Sequence, residues 1–542
     1  MLNKRNKWSL SIGCIGRDLC YTLVSLFLLT YIQYTGLVNT EQFIALTIII
    51  VLCRVWDAIN DPMMGTIITN TNTRFGKYRP WVLIGAVSNA VVLVLLFTVR
   101  FQNGWANVAF LGIMYLLWGM TFTMNDISYW DLLPALTSDK KERDNLTTLV
   151  AVFASVGAFA SGGIVPLLTT GNMVNAYRWI SIIFAAVFLL CQLLVFFFVH
   201  DNKDDSFIVA RHPENERKEK KEKINLKGMV KILIGNKQLL VMAGVIFLYS
   251  LGSAILNAFG QNFFYFKFGY LGKEGEMGGG TMMFIFTVVY AVGTLLSQAV
   301  YPFLANRFKR KKLMDFSIIS LVAGYVAFFI FANVLKETIG FIVLCILGVL
   351  IFIGQGVFYL TMLVMLTNTI EYGEWKTGRN DAAIAFTVRP FMVKLASALQ
   401  YGIVAITLVI CQLTKITDAA GQIEIVIGIV KEGGIAPNAI AVTEYLSTNY
   451  GLSADTILRI GTSIGAATDI DGVVAGLQQY ENGLFNASAG SMWGLTAVMC
   501  VLPIILFVVA WIFQKKKYII DEELYDDICK DLKKKKEVKE NA

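Results

Sequence analysis

Across 542 residues, 56% are hydrophobic, 16% are charged and the mean hydropathy is +0.60. A soluble domain of that length needs far more polar surface to cover its core, so the composition excludes one. The formal net charge of +8 does not mark a nucleic-acid protein, because the basic residues sit in short loops between apolar blocks, where they report membrane topology.

A helix needs about 20 mostly apolar residues to cross the hydrocarbon core, and it satisfies its own backbone groups there. Blocks such as Ile182–Val199, Leu344–Val357 and Leu495–Phe513 meet that need. Twelve spans are expected, at roughly 9–35, 42–68, 80–99, 106–134, 146–169, 178–200, 237–267, 279–304, 313–334, 338–369, 383–413 and 491–513. Several exceed a minimal crossing, which implies tilt or extension beyond the bilayer.

The first span follows Lys4, Arg5 and Lys7 and carries Arg17 and Asp18, a poor match to a cleavable signal. Charges inside a bilayer cost nominally about 2.5–3.5 kcal/mol each on insertion scales, so each one needs a reason. Asp18 can accept hydrogen bonds from sugar hydroxyls and Arg17 can pair with a carboxylate; the alternative for both is a structural salt bridge.

The second span holds Arg54-Val-Trp-Asp57-Ala-Ile-Asn60-Asp61-Pro-Met-Met-Gly65. Asp57 and Asp61 are four apart and share a helix face. Two carboxylates that close in low dielectric require a cation, a proton or a basic partner. With the amide oxygen of Asn60 they form an all-oxygen donor set of the kind hard cations take. Pro62 and Gly65 can loosen the helix and free carbonyls. A structural cap near the helix end is the alternative.

The fourth span ends in Thr123-Met-Asn-Asp126-Ile-Ser-Tyr129-Trp130-Asp131, where polar and aromatic residues alternate. Asp126 and Trp130 are four apart: a hydroxyl acceptor beside an apolar ring face suits a pyranose. An interfacial aromatic belt is the other reading. In the eleventh span Lys394 lies deeper than Arg389 and needs a counter-charge, which Asp57, Asp61 or Asp126 can supply, unless it snorkels. Asn257, Gln261, Gln298, Gln355 and Gln400 are weaker candidates, better suited to helix–helix hydrogen bonds.

Basic residues collect in alternate loops: Arg74, Lys77 and Arg79; Lys140, Lys141 and Arg143; the 201–236 segment; Arg307 and Lys309 to Lys312; Lys376 and Arg379. The loops near Gly36, Asn103, Gly171, Gly275 and Lys336 are poorer, so both termini are expected in the cytoplasm of a plasma or inner membrane. The organisation expected is a six-helix bundle over 1–200, a cytoplasmic linker at 201–236, a second six-helix bundle over 237–514 and a cytoplasmic tail at 515–542. A Gly/Ala-rich extracytoplasmic excursion, partly helical, is expected at about 415–490. Asn72-Thr-Arg-Phe-Gly-Lys-Tyr-Arg79 and Ala305-Asn-Arg-Phe-Lys-Arg-Lys-Lys312 stand at equivalent places in the two halves, a sign of a duplicated transporter.

The eight cysteines are scattered with no CxxC pair, which argues against a disulfide framework or zinc site. The two histidines, His200 and His212, lie at or beyond the end of an apolar block, which excludes a histidine relay inside the membrane. No metal cluster, nucleophile elbow or phosphate loop is present in the sequence, so neither an enzyme nor a cofactor is expected.

Several motifs together resemble the glycoside-pentoside-hexuronide:cation symporter family, the melibiose-permease-like branch of the major facilitator superfamily. They are Trp56-Asp-Ala-Ile-Asn-Asp-Pro62 with Gly65, Thr73-Arg-Phe-Gly-Lys-Tyr-Arg-Pro-Trp81, Asp126-Ile-Ser-Tyr-Trp130 with Pro134, Glu142-Arg143, Glu371-Tyr-Gly-Glu-Trp-Lys-Thr-Gly-Arg379, and Lys394. The resemblance runs along the chain except through 415–490. It implies an all-α integral membrane protein with the major facilitator fold. It also implies a cation site at Asp57, Asn60, Asp61 and Thr123, and a sugar site at Asp18, Asp126 and Trp130 with Arg17 and Tyr129 beside them. Lys394 then lies between the two. Relatives in the family couple to sodium, lithium or protons, and both second-span carboxylates with Asn60 favour sodium. Two departures bear on the substrate: Ala151 stands where an arginine is frequent, and Asp131 where a small residue is.

These readings converge on cation-coupled symport of a sugar or glycoside by alternating access, carried out by a monomer in a lipid bilayer. The alternatives are transport of an organic acid or lipid-like solute, and a sugar sensor built on a transporter scaffold.

Overall fold

The structure is a computed structural model that describes residues 3–71, 73–137, 139–200, 235–272, 276–335, 337–378, 382–450 and 452–540. The linker expected at 201–236 lies almost wholly outside these residues, as do His212 and Arg379.

The described residues are overwhelmingly helical and contain no strand, only an isolated bridge between Thr73 and Gly76. The helices are α1 (Lys4–Tyr34), α2 (Thr40–Thr69), α3 (Arg79–Thr98), α4 (Gly104–Leu136), α5 (Lys140–Thr169), α6 (Met173–Phe198), α7 (Lys237–Phe268), α8 (Gly279–Arg307), α9 (Arg310–Val334), α10 (Glu337–Thr377) and α11 (Ala382–Ile410). Four shorter helices follow: α12 (Leu413–Lys431), α13 (Ala439–Tyr450), α14 (Ala454–Ile464) and α15 (Ile470–Leu484). Then come α16 (Ala489–Lys517) and α17 (Glu522–Glu540).

Twelve of these, α1 to α11 and α16, are long and apolar enough to cross a membrane, as the hydropathy predicts. Their outward faces carry exposed Leu52, Ile113, Ile319, Ile346 and Ile406, a surface that only lipid covers without cost. Helix starts are set by local chemistry. Asn39 and Gln42 form a reciprocal capping box on α2, and Asp139 accepts from the Glu142 amide to cap α5.

Two compact units emerge. One holds α1 to α6 together with Gly260–Thr287 and Tyr401–Leu495; the other holds α7 up to Phe259, Val288–Gln400 and Thr496 onward. In the first, α1 packs against α5 and α6. Gly157 makes this possible: a Cβ there would sit 2.3 Å from the Ile15 carbonyl oxygen.

The segment expected as a Gly/Ala-rich excursion is four helices with a core of their own, built on Val426, Val430, Val442, Leu446, Ile460 and Leu477. Gln412 adopts a left-handed backbone (φ 57°), which breaks α11 from α12 and turns the chain into this cap. The cap seats on the α1–α2 turn through two glycines: Gly36 has φ +62°, and a Cβ on Gly421 would lie 2.4 Å from its nitrogen.

In the second unit α9 packs on α10, and Tyr249 stacks on Phe358 while Phe507 meets both rings at a tilt, with centroids 5.2–6.2 Å apart. The tail helix α17 is held to it by Lys309–Glu523 at 3.2 Å and Arg310–Glu522 at 3.8 Å.

Candidate substrate and cation site

The sequence-predicted carboxylates of α1, α2 and α4 gather in the first unit as two clusters that share α4. The first is built around Arg17, whose side chain is 3% exposed. Its Nη2 donates to Asp18 Oδ2 at 2.8 Å and its Nε to the same oxygen at 3.1 Å. Its Nη1 lies 3.0 Å from Asp126 Oδ1, an ion pair whose angle falls outside hydrogen-bond geometry. The guanidinium also faces two aromatic rings, 4.9 Å from the centroids of Tyr129 and Trp130. A buried guanidinium is tolerable because two carboxylates neutralise it and two ring faces replace water.

Asp18 and Asp126 keep 23% and 36% of their side-chain surface open, so a ligand can reach both carboxylates. Trp130 is half-buried beside them. Tyr129, expected among the sugar contacts, is fully buried behind the guanidinium, and its hydroxyl donates to the Leu10 carbonyl. Cys14 Sγ donates to Asp18 Oδ2 at 3.3 Å.

The second cluster lies between α2 and α4. Thr123 Oγ1 donates to Asp61 Oδ1 at 3.1 Å. One helical turn away, Asp57 rests on Gly119, where a Cβ would come within 2.4 Å of Oδ1. Residues 57 and 61 on α2 therefore match 119 and 123 on α4, two four-residue steps in parallel register. Asp57 is 4% exposed and Asn60 7%. The Asn60 Nδ2 is buried without a hydrogen-bond partner.

Asp57 has a basic partner on its own helix that the sequence pattern does not single out. Arg54 Nη1 lies 3.8 Å from Asp57 Oδ2, and the guanidinium faces Tyr115, Trp118 and Tyr401 at 5.5–5.6 Å. The i,i+3 spacing of Arg54 and Asp57 on one helix was the available signal. A polar network behind the site was also missed. Asn125 Nδ2 donates to the Val82 carbonyl at 2.8 Å and lies 3.2 Å from Gln192 Oε1, while Gln192 Nε2 donates to the Gly13 carbonyl at 2.8 Å. It ties α1, α3, α4 and α6 together behind Arg17 and Asp126. Isolated amides in apolar helices carry no sequence pattern that announces such a network.

The donor set at the second cluster is the carboxylates of Asp57 and Asp61, the amide oxygen of Asn60 and the hydroxyl of Thr123. All are oxygens, which fits a hard monovalent cation. Lys394 is half-buried on α11 in the other unit, its carbonyl accepting from Ser397 Oγ at 2.9 Å.

A family model described as MFS/sugar transport protein matches residues 9–427. The lactose permease of Lactobacillus delbrueckii subsp. bulgaricus is 28% identical over 411 residues, covering 73% of this chain and 61% of the relative. The raffinose carrier protein of Pediococcus pentosaceus is 26% identical over 438 residues, covering 76% of this chain and 64% of its own. The isoprimeverose transporter of Lactiplantibacillus pentosus is 26% identical over 400 residues, covering 72% and 76%. The chain thus spans about three fifths of the length of the lactose permeases it matches. Among solved structures, the nucleoside transporter NupG aligns with a TM-score of 0.53 at 13% identity, covering 93% of this chain and 99% of that one. A D-xylose-proton symporter aligns with a TM-score of 0.51 at 12% identity, covering 74% and 88%. At such identity these likenesses establish the major facilitator fold and nothing finer.

Proposed function

The chain is a member of the MFS/sugar transport protein family, the glycoside-pentoside-hexuronide symporter type of major facilitator, and from that premise we propose that it carries a sugar or glycoside across the membrane together with a monovalent cation. The family is one of transporters, not enzymes. Relatives named for lactose, raffinose and isoprimeverose support a glycoside as the cargo.

One observation carries the coupling. Thr123 and Asp126 stand three residues apart on α4; the first is bonded to Asp61, the second ion-paired with Arg17. A rigid turn of helix joins the oxygen cluster to the carboxylate–aromatic cluster. A cation bound among Asp57, Asn60, Asp61 and Thr123 would add positive charge beside the two carboxylates, in an all-oxygen donor set. Asp57 already has Arg54, so the added charge acts mainly on Asp61 and on the α4 turn above it. Asp18 and Asp126 then offer acceptors to sugar hydroxyls, Trp130 offers a ring face, and Arg17 holds both carboxylates in place. Lys394 is assigned the role of coupling counter-charge. The distribution of basic loops favours both termini in the cytoplasm, which puts the cap outside.

Coupling is reciprocal, so the sugar must tighten the cation as much as the cation tightens the sugar. The deciding experiment is uptake of a panel of radiolabelled glycosides and organic acids into proteoliposomes under imposed sodium or proton gradients. Accumulation of a glycoside above equilibrium under one gradient is expected. Equilibration without accumulation under every gradient would remove the coupling, and accumulation of an organic acid alone would remove the sugar.

A further inference from the structure

Two glutamates of the cap are buried where no counter-ion waits for both. Glu424 on α12 is 3% exposed and Glu481 on α15 is 1% exposed. Glu424 is well supplied: Oε1 accepts from the Tyr270 hydroxyl at 2.6 Å, and Oε2 accepts from the Met173 amide at 3.3 Å, at the first turn of α6. The Tyr270 hydroxyl in turn accepts from the Gly171 amide at 2.9 Å. Neither carboxyl oxygen of Glu481 has a hydrogen-bond partner.

This pair lies at the seam where the cap meets the helix ends. On α15, Gln478 Nε2 donates to the Gly171 carbonyl at 3.2 Å, and Asn482 bonds the Leu271 amide and the Gly272 carbonyl at 3.0 and 3.1 Å. Phe485 stacks on Tyr270 at 4.7 Å. Glu424, Gln478, Glu481 and Asn482 thus fasten the cap to the α5–α6 turn and to the α7–α8 turn together.

We propose that Glu424 and Glu481 form a proton-operated latch, closed when Glu481 holds a proton and released when that proton leaves to bulk water. Burial of a second carboxylate beside the first, with no donor aimed at it, is sustainable only in the neutral form. Burial and then the neighbouring Glu424 push Glu481 far above the ordinary glutamate range. Burial also raises Glu424 to about 7, against the opposing Tyr270 hydroxyl, the Met173 amide and Lys431. Tyr265 also faces Glu424 and is neutral at these pH values. Both shifts are upward, so the docked cap binds more protons than the undocked one; docking weakens as pH rises from about 4.5, through 7 for Glu424 and further for Glu481. Only the consequence for transport, slower opening of the cap end in acid, rests on the transporter reading.

Hydrogen exchange of 413–484 in nanodiscs at pH 5.5 and 8.5, corrected for the intrinsic rate, tests the latch without any substrate. The wild type should lose protection at pH 8.5 by at least tenfold, while Glu481→Gln should lose several-fold less, keeping only the part that Glu424 contributes. Glu424→Gln should flatten the pH dependence partly. Equal wild-type protection at the two pH values overturns the proposal. So does a Glu481→Gln cap that loosens with pH like the wild type, or one that is open already at pH 5.5 in both variants.

Discussion

Gly119 of α4 faces Asp57 of α2 so closely that a Cβ at position 119 would lie 2.4 Å from the carboxylate Oδ1. The acidic residue and the missing side chain are one structural unit. Gly119→Ala must therefore move the carboxylate or part the helices. A misplacement of about 1 Å in a binding constellation can cost on the order of 10²-fold. Uptake measured against cation concentration should show a midpoint shifted by at least about tenfold, ~1.4 kcal/mol, with the amount of folded protein little changed.

Arg54 and Asp57 are both buried and 3.8 Å apart, so neutralising Asp57 takes the paired charge from Arg54. Breaking such a pair costs about 3–5 kcal/mol, whereas removing both together costs less. Asp57→Asn should lower the thermal unfolding midpoint clearly, and Arg54→Gln combined with Asp57→Asn should recover part of it. Neither protein should accumulate solute uphill. A double variant less stable than the single would contradict the pairing.

Asp61 is only half-buried and holds its place through Thr123 at 3.1 Å. Asp61→Asn keeps that contact, so stability should change by less than about 1 kcal/mol. Cation dependence of sugar binding, read by titration calorimetry, should disappear. Retained cation activation in this variant would place the ion elsewhere.

Asp126→Asn leaves the Arg17–Asp18 bonds intact while removing one charged acceptor. A hydrogen bond to a charged group contributes about 1.5–3 kcal/mol, so sugar affinity should fall roughly 10- to 100-fold. Tyr129→Phe should behave oppositely. Its hydroxyl is committed to the Leu10 carbonyl, so the loss should appear as about 1 kcal/mol of stability with sugar affinity unchanged. A Tyr129→Phe protein of normal stability and weak sugar binding would reassign the residue.

Asp418 on α12 accepts from Thr40 Oγ1 at 2.8 Å, yet burial raises its carboxyl from 3.8 to about 6. A raised acid binds more protons folded than unfolded, so its contribution to stability falls as pH rises between those values. Unfolding midpoints recorded from pH 4 to 6 should decline more steeply in the wild type than in Asp418→Asn. Parallel slopes would show that Asp418 is solvated.

The twelve spans were legible because a bilayer imposes a single test, length and apolarity, that each helix meets by itself. Asp18, Asp57, Asp61 and Asp126 stood out for the same reason: a charge in an apolar block is costly wherever the block folds. The cap was only partly readable, because its four helices bury their apolar faces on one another, which leaves a weaker pattern than a span does.

What the sequence determined on its own was therefore the membrane, the helices and the residues that need partners. Which partner each one took was decided by tertiary packing. Arg17 joined Asp18 and Asp126, Arg54 took Asp57, and Thr123 reached Asp61 because α4 runs in register beside α2 and close to α1. The same holds for Tyr129, turned inward, and for Glu481, left beside Glu424 with no donor. The physical reason is range. Transfer into lipid acts on each residue separately, whereas ion pairs and hydrogen bonds act over a few ångströms between residues that the chain places far apart.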